Sequence, residues 1–491
     1  MQDITPPTER FLVPSDHILI GHIDIDRPVC DKKSVIDPLV GLIPQAWNTD
    51  YGASVWGPEA YIKSFEKFHY SDPELGISKK YKQHWDFAYR KTMEQYDFLK
   101  GARIIPILST EKNEESTPAY PLSCFYKTER NYLENHGWVE YYEAIDDVLQ
   151  HGNKIRPLWY LFLKKEILRK DKIASGDIRQ ILCADPRFSR IGAMFEEDQN
   201  KRMKARTYTK FGQCGWNPFS GGFQQRMRRL INKGNSCYVE FDWTRFDGTI
   251  PREVFMLAKK IRWTLLHPND KTKDNYKIYR WYCEALLDRC VLLPSGEVTH
   301  QSKGNPSGQI STTMDNNICN TFLQAFEFSY ICGDAADELW DKFDTIVYGD
   351  DRLSTYPFDY AKHITSVINM YKNIFGMWVK PDKVKVSHSL SGLSFCGFVC
   401  LDDLSPYPSS PDKFIASLSD PVKKLSDLDS LYTKILCFRL LVHNSKTQDK
   451  YKDFFDECLF ILQLHYRSQG VEPPVLFDDS DYDYIWRGGP K

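Results

Sequence analysis

Three short segments, fixed in order and spacing, constrain this chain more than any other feature. The first, SCYVEFDWTRFDGTI (236–250), alternates Val239, Phe241 and Trp243 with Tyr238, Glu240 and Asp242. A period of two predicts a strand, with Asp242 near its end on the face opposite Phe241 and Asp247 beyond a turn. The second, KGNPSGQISTTMDNNICNTF (303–322), reads as a loop carrying Gly304, Pro306 and Gly308 and then a helix from Ser311 onward. Thr312, Asn316 and Asn320, four residues apart, share one face of that helix. The third, FDTIVYGDDRLST (343–355), predicts a β-hairpin: a strand over Thr345–Tyr348, a Gly349-Asp350 turn and a return strand over Arg352–Thr355, with Asp350 and Asp351 at the tip.

Each segment suits a chemistry and also has an ordinary reading. Two carboxylates near a strand end suit a divalent cation, which needs hard oxygen ligands, but an Asp-x4-Asp spacing alone also fits plain surface charge. Adjacent acids at a hairpin tip repel unless a cation or base neutralises them, although many exposed turns carry aspartate. A polar, uncharged helix face opening from a glycine loop suits hydrogen bonds to sugars and a template backbone. Ser and Thr there also fit a simple N-cap, yet three Asn in one helix interior are poor helix formers without another use.

Composition sets the frame. The chain has 491 residues, 64 Lys+Arg against 66 Asp+Glu, and 42% hydrophobic residues, which excludes disorder as the main state. The net charge of −2 conceals a basic block: between Lys201 and Lys233 stand nine Lys/Arg and no acid. Such a block predicts a channel for polyanions, or else a solvated basic face. The tail from Val471 carries five acids and two bases and predicts a loosely held segment. No run approaches the ~18 apolar residues of a membrane span, and the N-terminus lacks a signal-peptide pattern. The 13 scattered cysteines offer no zinc spacing and predict reduced thiols in a cytosolic compartment.

Asp242 to Ser307 is 65 residues, Ser307 to Asp350 is 43, and Asp351 to Lys383 is 32. Acid strand, glycine loop with polar helix, then acid hairpin is the order of a right-hand polymerase palm. The chain resembles the viral RNA-directed RNA polymerases of the picornavirus-like supergroup, and FDWTRFDGTIP with YGDDRLS resembles the astrovirus type. DWTRFD matches motif A, PSGQISTTMDNN motif B and YGDD motif C; Lys383 in KPDKV resembles the motif D lysine, and LSFCGFVC (393–400) the motif E hairpin. KKE (164–166) with Lys172 and Arg179 resembles motif F, with Leu168 where picornavirus-type enzymes carry arginine and Arg169 following it. STPAYP (116–121) resembles motif G.

The resemblance implies an α+β fold: a closed right hand of fingers, palm and thumb with an antiparallel palm sheet flanked by helices. It implies an N-terminal extension bridging fingers and thumb (1–110), fingers (111–235), the motif A part of the palm (236–252), a fingers insertion (253–302), the rest of the palm (303–400), and a thumb with the acidic tail (401–491). The implied activity is template-dependent RNA synthesis that replicates and transcribes a positive-strand RNA virus genome. Two Mg2+ ions, with Mn2+ as a substitute, would be held by Asp242, Asp350, Asp351 and the Trp243 carbonyl. Lys164, Lys172 and Arg179 would grip the triphosphate, and Lys383 would protonate the departing pyrophosphate. Asp247, Ser307, Thr312 and Asn316 would bind the nucleotide, with Asp247, Thr312 and Asn316 selecting its sugar. Thr117, Tyr120, Gly308, Lys201, Lys204, Arg206 and Lys210 would contact RNA.

Template and product RNA, ribonucleoside triphosphates, a genome-linked protein primer and other viral replication proteins are the implied partners. The implied location is the host cytoplasm, at membranes reached through those proteins. A reverse transcriptase shares the paired aspartates, but normally blocks the ribose 2′-position with a bulky residue where this chain offers Asp247. A noncatalytic RNA-binding module would explain the basic block but not three separated aspartates; Mg2+-dependent incorporation distinguishes the two.

Overall fold

The computed structural model describes residues 4–7, 9–25, 30–446 and 448–489. At its centre a four-stranded antiparallel sheet runs in the order Val384–Ser387, Cys237–Phe241, Asp351–Tyr356, Asp344–Tyr348. Both faces are covered, so the period-two pattern sorts side chains between two cores rather than between core and solvent. Val239, Phe241 and Tyr356 join the main core. Tyr238, Ile346 and Leu353 join a second cluster with Phe395 and with Phe223, Met227 and Leu230 of helix Gly222–Ile231.

The helix Thr312–Cys332 packs on the main-core side. Its second half is buried on every side from Phe322 to Ser329 because neighbours surround it: Phe322 meets Trp85, and Phe328 stacks on Phe87, both from helix Lys82–Tyr96. Gly333 ends the helix at φ +56°, a conformation that is cheap only for glycine. Glu327 of this helix pairs with fully buried Arg352 of the sheet at 2.9 Å, and Arg352 lies 3.7 Å from the centroid of the Phe241 ring.

A five-stranded sheet is ordered Leu19–His22, Glu297–Gln301, Arg289–Leu292, Leu158–Leu163, Gln180–Cys183, with one parallel pair between Leu158–Leu163 and Arg289–Leu292. Helix Pro186–Lys204, capped by Asp185 with Pro186 at its start, meets helix Arg252–Leu265 through a buried ion network. There Lys259 pairs with Glu196 (2.7 Å) and Asp315 (2.6 Å), and Arg262 with Asp315 (2.8 Å). Helices Asp412–Ser419, Leu428–Leu441 and Lys450–Ser468 enclose a separate core, onto which Leu39, Leu42, Ile43 and Trp47 pack. The N-terminal segment therefore pairs with one sheet at residues 19–22, covers the C-terminal helices at 39–47, and lies along the long helix at 82–96.

The acidic tail is not loosely held. Asp478 opens helix Asp479–Arg487 through a capping box, and Trp486 is fully buried, donating Nε1 to the Leu440 carbonyl at 2.7 Å. Asp479 and Asp483 meet Arg439 and His443 of the preceding helix pair at 3.3 and 2.8 Å. Those contacts offset the repulsion among the acids, and Tyr482 and Trp486 supply the burial that fixes the helix. Residues 490–491 of the tail lie outside the described residues. All thirteen cysteines are free. Among the described residues no helix is long and apolar enough to cross a membrane.

Candidate active site

Strand register brings the acids together. Phe241 pairs with Arg352 on one flank and with Val384 on the other. Continuing each antiparallel ladder by one residue sets Asp242 beside Asp351 and beside Lys383. The hairpin turns at Gly349-Asp350, as its sequence predicts, with Gly349 at φ +64° and Asp351 paired to Tyr348. Asp351 accepts a hydrogen bond from the Cys396 N–H (3.0 Å), so the strand pair 394–400 buttresses the hairpin tip.

The three carboxyls crowd one another. Burial, then the charges of Asp247 and Asp242, push Asp350 up to about 6. Burial, then Asp350, Glu240 and Asp242, push Asp351 up to about 7. Burial also raises Asp242, against the pull of Lys383 and Lys172. Hard oxygen donors gathered with their charge uncompensated fit divalent cations, which would relieve all three at once. Trp243 follows at the strand end, and its ring packs against Phe241, Phe246 and Tyr371.

Beyond Arg245, which adopts φ +56° and pairs with Asp177 at 2.7 Å, the turn Phe246–Thr249 returns Asp247 toward the site. One carboxylate oxygen of Asp247 accepts from Asn316 Nδ2 (2.7 Å), the other from Ser307 Oγ (2.7 Å). Thr312 does not join them. Its hydroxyl donates to the carbonyls of Pro306 (3.0 Å) and Gln309 (3.1 Å) and accepts from the Gly308 N–H (3.3 Å), holding the glycine loop shut. The expected trio of Asp247, Thr312 and Asn316 is thus corrected to Asp247, Ser307 and Asn316, because a helix-start hydroxyl finds nearer partners in the loop before it. Gly308, at φ +119°, stands where a β-carbon would lie 2.0 Å from the Leu182 carbonyl oxygen.

Asn320, on the same helical face, points to the hairpin. Fully buried, it donates to the Gly349 carbonyl (3.0 Å), while Asn317 accepts from the Gly349 N–H (2.7 Å). Asn317 and Asn320 of the polar helix grip the hairpin turn, a use that no sequence spacing announces.

Glu166 takes the Arg179 guanidinium on both oxygens (2.9 and 2.5 Å) and pairs with Lys164 at 3.1 Å. The Lys164 N–H donates to the Arg179 carbonyl (2.9 Å). Arg179 lies within electrostatic reach of Asp350 and Asp247, and Lys172 of Asp242. Glu166 is the organising residue to which sequence reading, quoting it within KKE, assigns no role; its position between lysines and the later arginine is the available signal. Arg169 is engaged with Asp171 at 3.1 Å.

The basic block divides. Arg226 is buried and bonds Gln213 and Thr207 at 3.0 and 2.8 Å; Arg229 pairs with Asp344 at 2.9 Å. Lys201 pairs with Glu111 at 3.0 Å, and Lys210 lies 3.7 Å from Asp97. Lys204 and Arg206 are exposed. The block is therefore partly internal scaffolding, because the acids absent from its own sequence are supplied from elsewhere in the chain. Tyr120 packs on the cluster Ile23, Leu292, Val298, while Thr117 is exposed.

Comparison with known proteins agrees with this geometry. The family model described as "Viral RNA-dependent RNA polymerase" matches residues 27–455. The chain is 48% identical over 499 residues to the non-structural polyprotein 1AB of Ovine astrovirus 1, covering 100% of this chain and 37% of the polyprotein. It is 49% identical to those of Mink astrovirus 1 and Human astrovirus-5, covering 99% of this chain and 36% and 34% of theirs. The chain spans about a third of the length of these relatives. Among solved structures, a Sicinivirus 3Dpol RNA dependent RNA polymerase superposes with a TM-score of 0.69 at 17% identity, over 96% of this chain and 98% of that one, which gives the α+β right-hand polymerase fold. With its acids, loop and hairpin in one site, this chain belongs to the viral RNA-dependent RNA polymerase family.

Proposed function

We propose that the chain synthesises RNA on an RNA template from ribonucleoside triphosphates by two-metal nucleotidyl transfer, replicating and transcribing a positive-strand RNA genome. The observation that carries this reading is the register that sets Asp242 between Asp351 and Lys383 beside the hairpin tip. Asp242, Asp350 and Asp351, with the Trp243 carbonyl, would hold two Mg2+ ions, or Mn2+ in their place. Bound there, the ions supply positive charge against the attacking and leaving oxygens. Lys164, Lys172 and Arg179 hold the triphosphate through charge-assisted hydrogen bonds, with Glu166 presenting the first and last. Lys383 carries a proton to the departing pyrophosphate, a role worth ~10²–10⁴-fold in rate. Asp247 and Asn316 accept and donate to the ribose 2′-hydroxyl, with Ser307 fixing Asp247. Thr117, Gly308, Lys204 and Arg206 line the RNA path.

In this reading the four-stranded sheet is the palm, the five-stranded sheet belongs to the fingers, and the C-terminal helices form the thumb. A genome-linked protein primer and other viral proteins complete the machinery at cytoplasmic membranes. The test is primer extension on homopolymer RNA with ribo- and deoxynucleotides, with and without Mg2+. Wild type should extend with ribonucleotides only when the metal is present. Asp350→Ala should abolish extension while melting temperature and RNA binding hold; substantial activity in the folded variant would sink the assignment.

A further inference from the structure

The N-terminal segment brings a lysine against the turn that carries Asp247. Residues 65–68 form one tight 3-10 turn anchored by fully buried Phe65, and this turn packs against Phe246–Thr249, the turn that carries Asp247. The approach is close enough to dictate a residue. At Gly248 a β-carbon would lie 2.5 Å from the Lys67 carbonyl oxygen and 3.0 Å from Lys67 Cε. Gly248 does not occupy the left-handed region, so glycine is needed there for space alone: it admits the Lys67 backbone carbonyl, and the lysine stem runs beside it.

The leading charges on the Lys67 ammonium come from one acid and three arginines among the described residues. Asp247 attracts it, while Arg289, Arg245 and Arg179 repel it. Each arginine is already engaged: Arg245 with Asp177, Arg179 with Glu166, and Arg289 with Gln301 and the Leu286 and Lys303 carbonyls. Burial pushes the Lys67 ammonium down to about 8, and Asp247 opposes that fall. Asp247 in turn receives hydrogen bonds from neutral donors only, Ser307 and Asn316, and faces the like charge of Asp350. Neutral donors orient a carboxylate but do not offset a neighbouring negative charge; a cation on its other side does.

We propose that Lys67 is a positioning residue for sugar selection, its side chain, running beside Gly248, holding the Asp247 carboxylate in place to accept the ribose 2′-hydroxyl. This rests on the polymerase reading above. The test is single-nucleotide incorporation by the full chain on primed RNA, with kcat and KM measured separately for ATP and dATP. Lys67→Met should narrow the ribose/deoxyribose ratio of kcat/KM by about tenfold, mainly by lowering ATP use, and Lys67→Arg should restore much of it. Lys67→Gln serves if the Met variant does not fold by circular dichroism. An unchanged ratio overturns the inference, whether activity falls equally with both sugars, as for a triphosphate contact or a packing role, or does not fall. No incorporation by wild type overturns the polymerase reading and this inference with it; a selective wild type with an unchanged variant ratio overturns the Lys67 role alone.

Discussion

Thr312 and Asn316 stand one helical turn apart, yet their side chains serve different ends. Asn316 donates to Asp247, whereas the Thr312 hydroxyl closes the glycine loop on itself. Asn316→Ala should therefore narrow the ribose/deoxyribose ratio of kcat/KM by about tenfold or more, because a site built to bond a hydroxyl penalises its absence. Thr312→Val should lower use of both sugars together and leave that ratio alone. Steady-state incorporation of paired nucleotides separates the two. Sequence spacing placed both residues on one face, which was correct. It did not tell which partner each side chain would choose, because the loop carbonyls of Pro306 and Gln309 compete for the threonine and only the folded loop sets their distance.

At the level of elements, the long helix and the hairpin act as one unit. Asn317 and Asn320 satisfy both polar groups of Gly349 in a buried setting. Asn320→Leu should cost about 1–3 kcal/mol, since the Gly349 carbonyl is left unpaired. It should lower kcat more than it raises KM; urea melts and single-turnover rates check both. The helix also enters the buried ion network through Asp315. There, burial alone would raise Glu196, but Lys259 and Arg262 hold its carboxyl well below the ordinary range. A depressed carboxyl contributes stability that is fully present above its unfolded value of 4.5 and is lost as pH falls through the folded value. Glu196→Gln should cost about 3–5 kcal/mol at pH 7, with the gap to wild type shrinking in melts taken below pH 4.5. The basic block splits along the same lines. Removing Lys204 or Arg206 should each reduce the slope of log affinity for single-stranded RNA against log salt by ~0.7. Arg226→Met should act on stability and leave the slope unchanged; filter binding at graded salt decides.

Across the whole molecule, the two chain ends hold the parts together. The N-terminal residues join one sheet and the C-terminal helical core, and the tail helix ties Leu440 to the loop at Phe219–Gly221 through Trp486. Trp486→Ala should cost about 3–5 kcal/mol locally, with faster amide exchange over 479–487 and little change elsewhere. Neither end carried a motif in the sequence, and the tail's charge suggested the opposite of what it does. The sequence by itself determined the local chemistry: the strand that ends near Asp242, the Gly349-Asp350 turn and the helical face shared by Thr312 and Asn316 follow from period two, turn residues and period 3.6, which are local properties of a chain. Tertiary structure alone decided which acids answer which bases. Glu166 on Arg179, Asp344 beside Arg229 and Asp315 between Lys259 and Arg262 are pairs that no local pattern gives. Coulomb and hydrogen-bond energies depend on separation in space, which local sequence pattern does not encode.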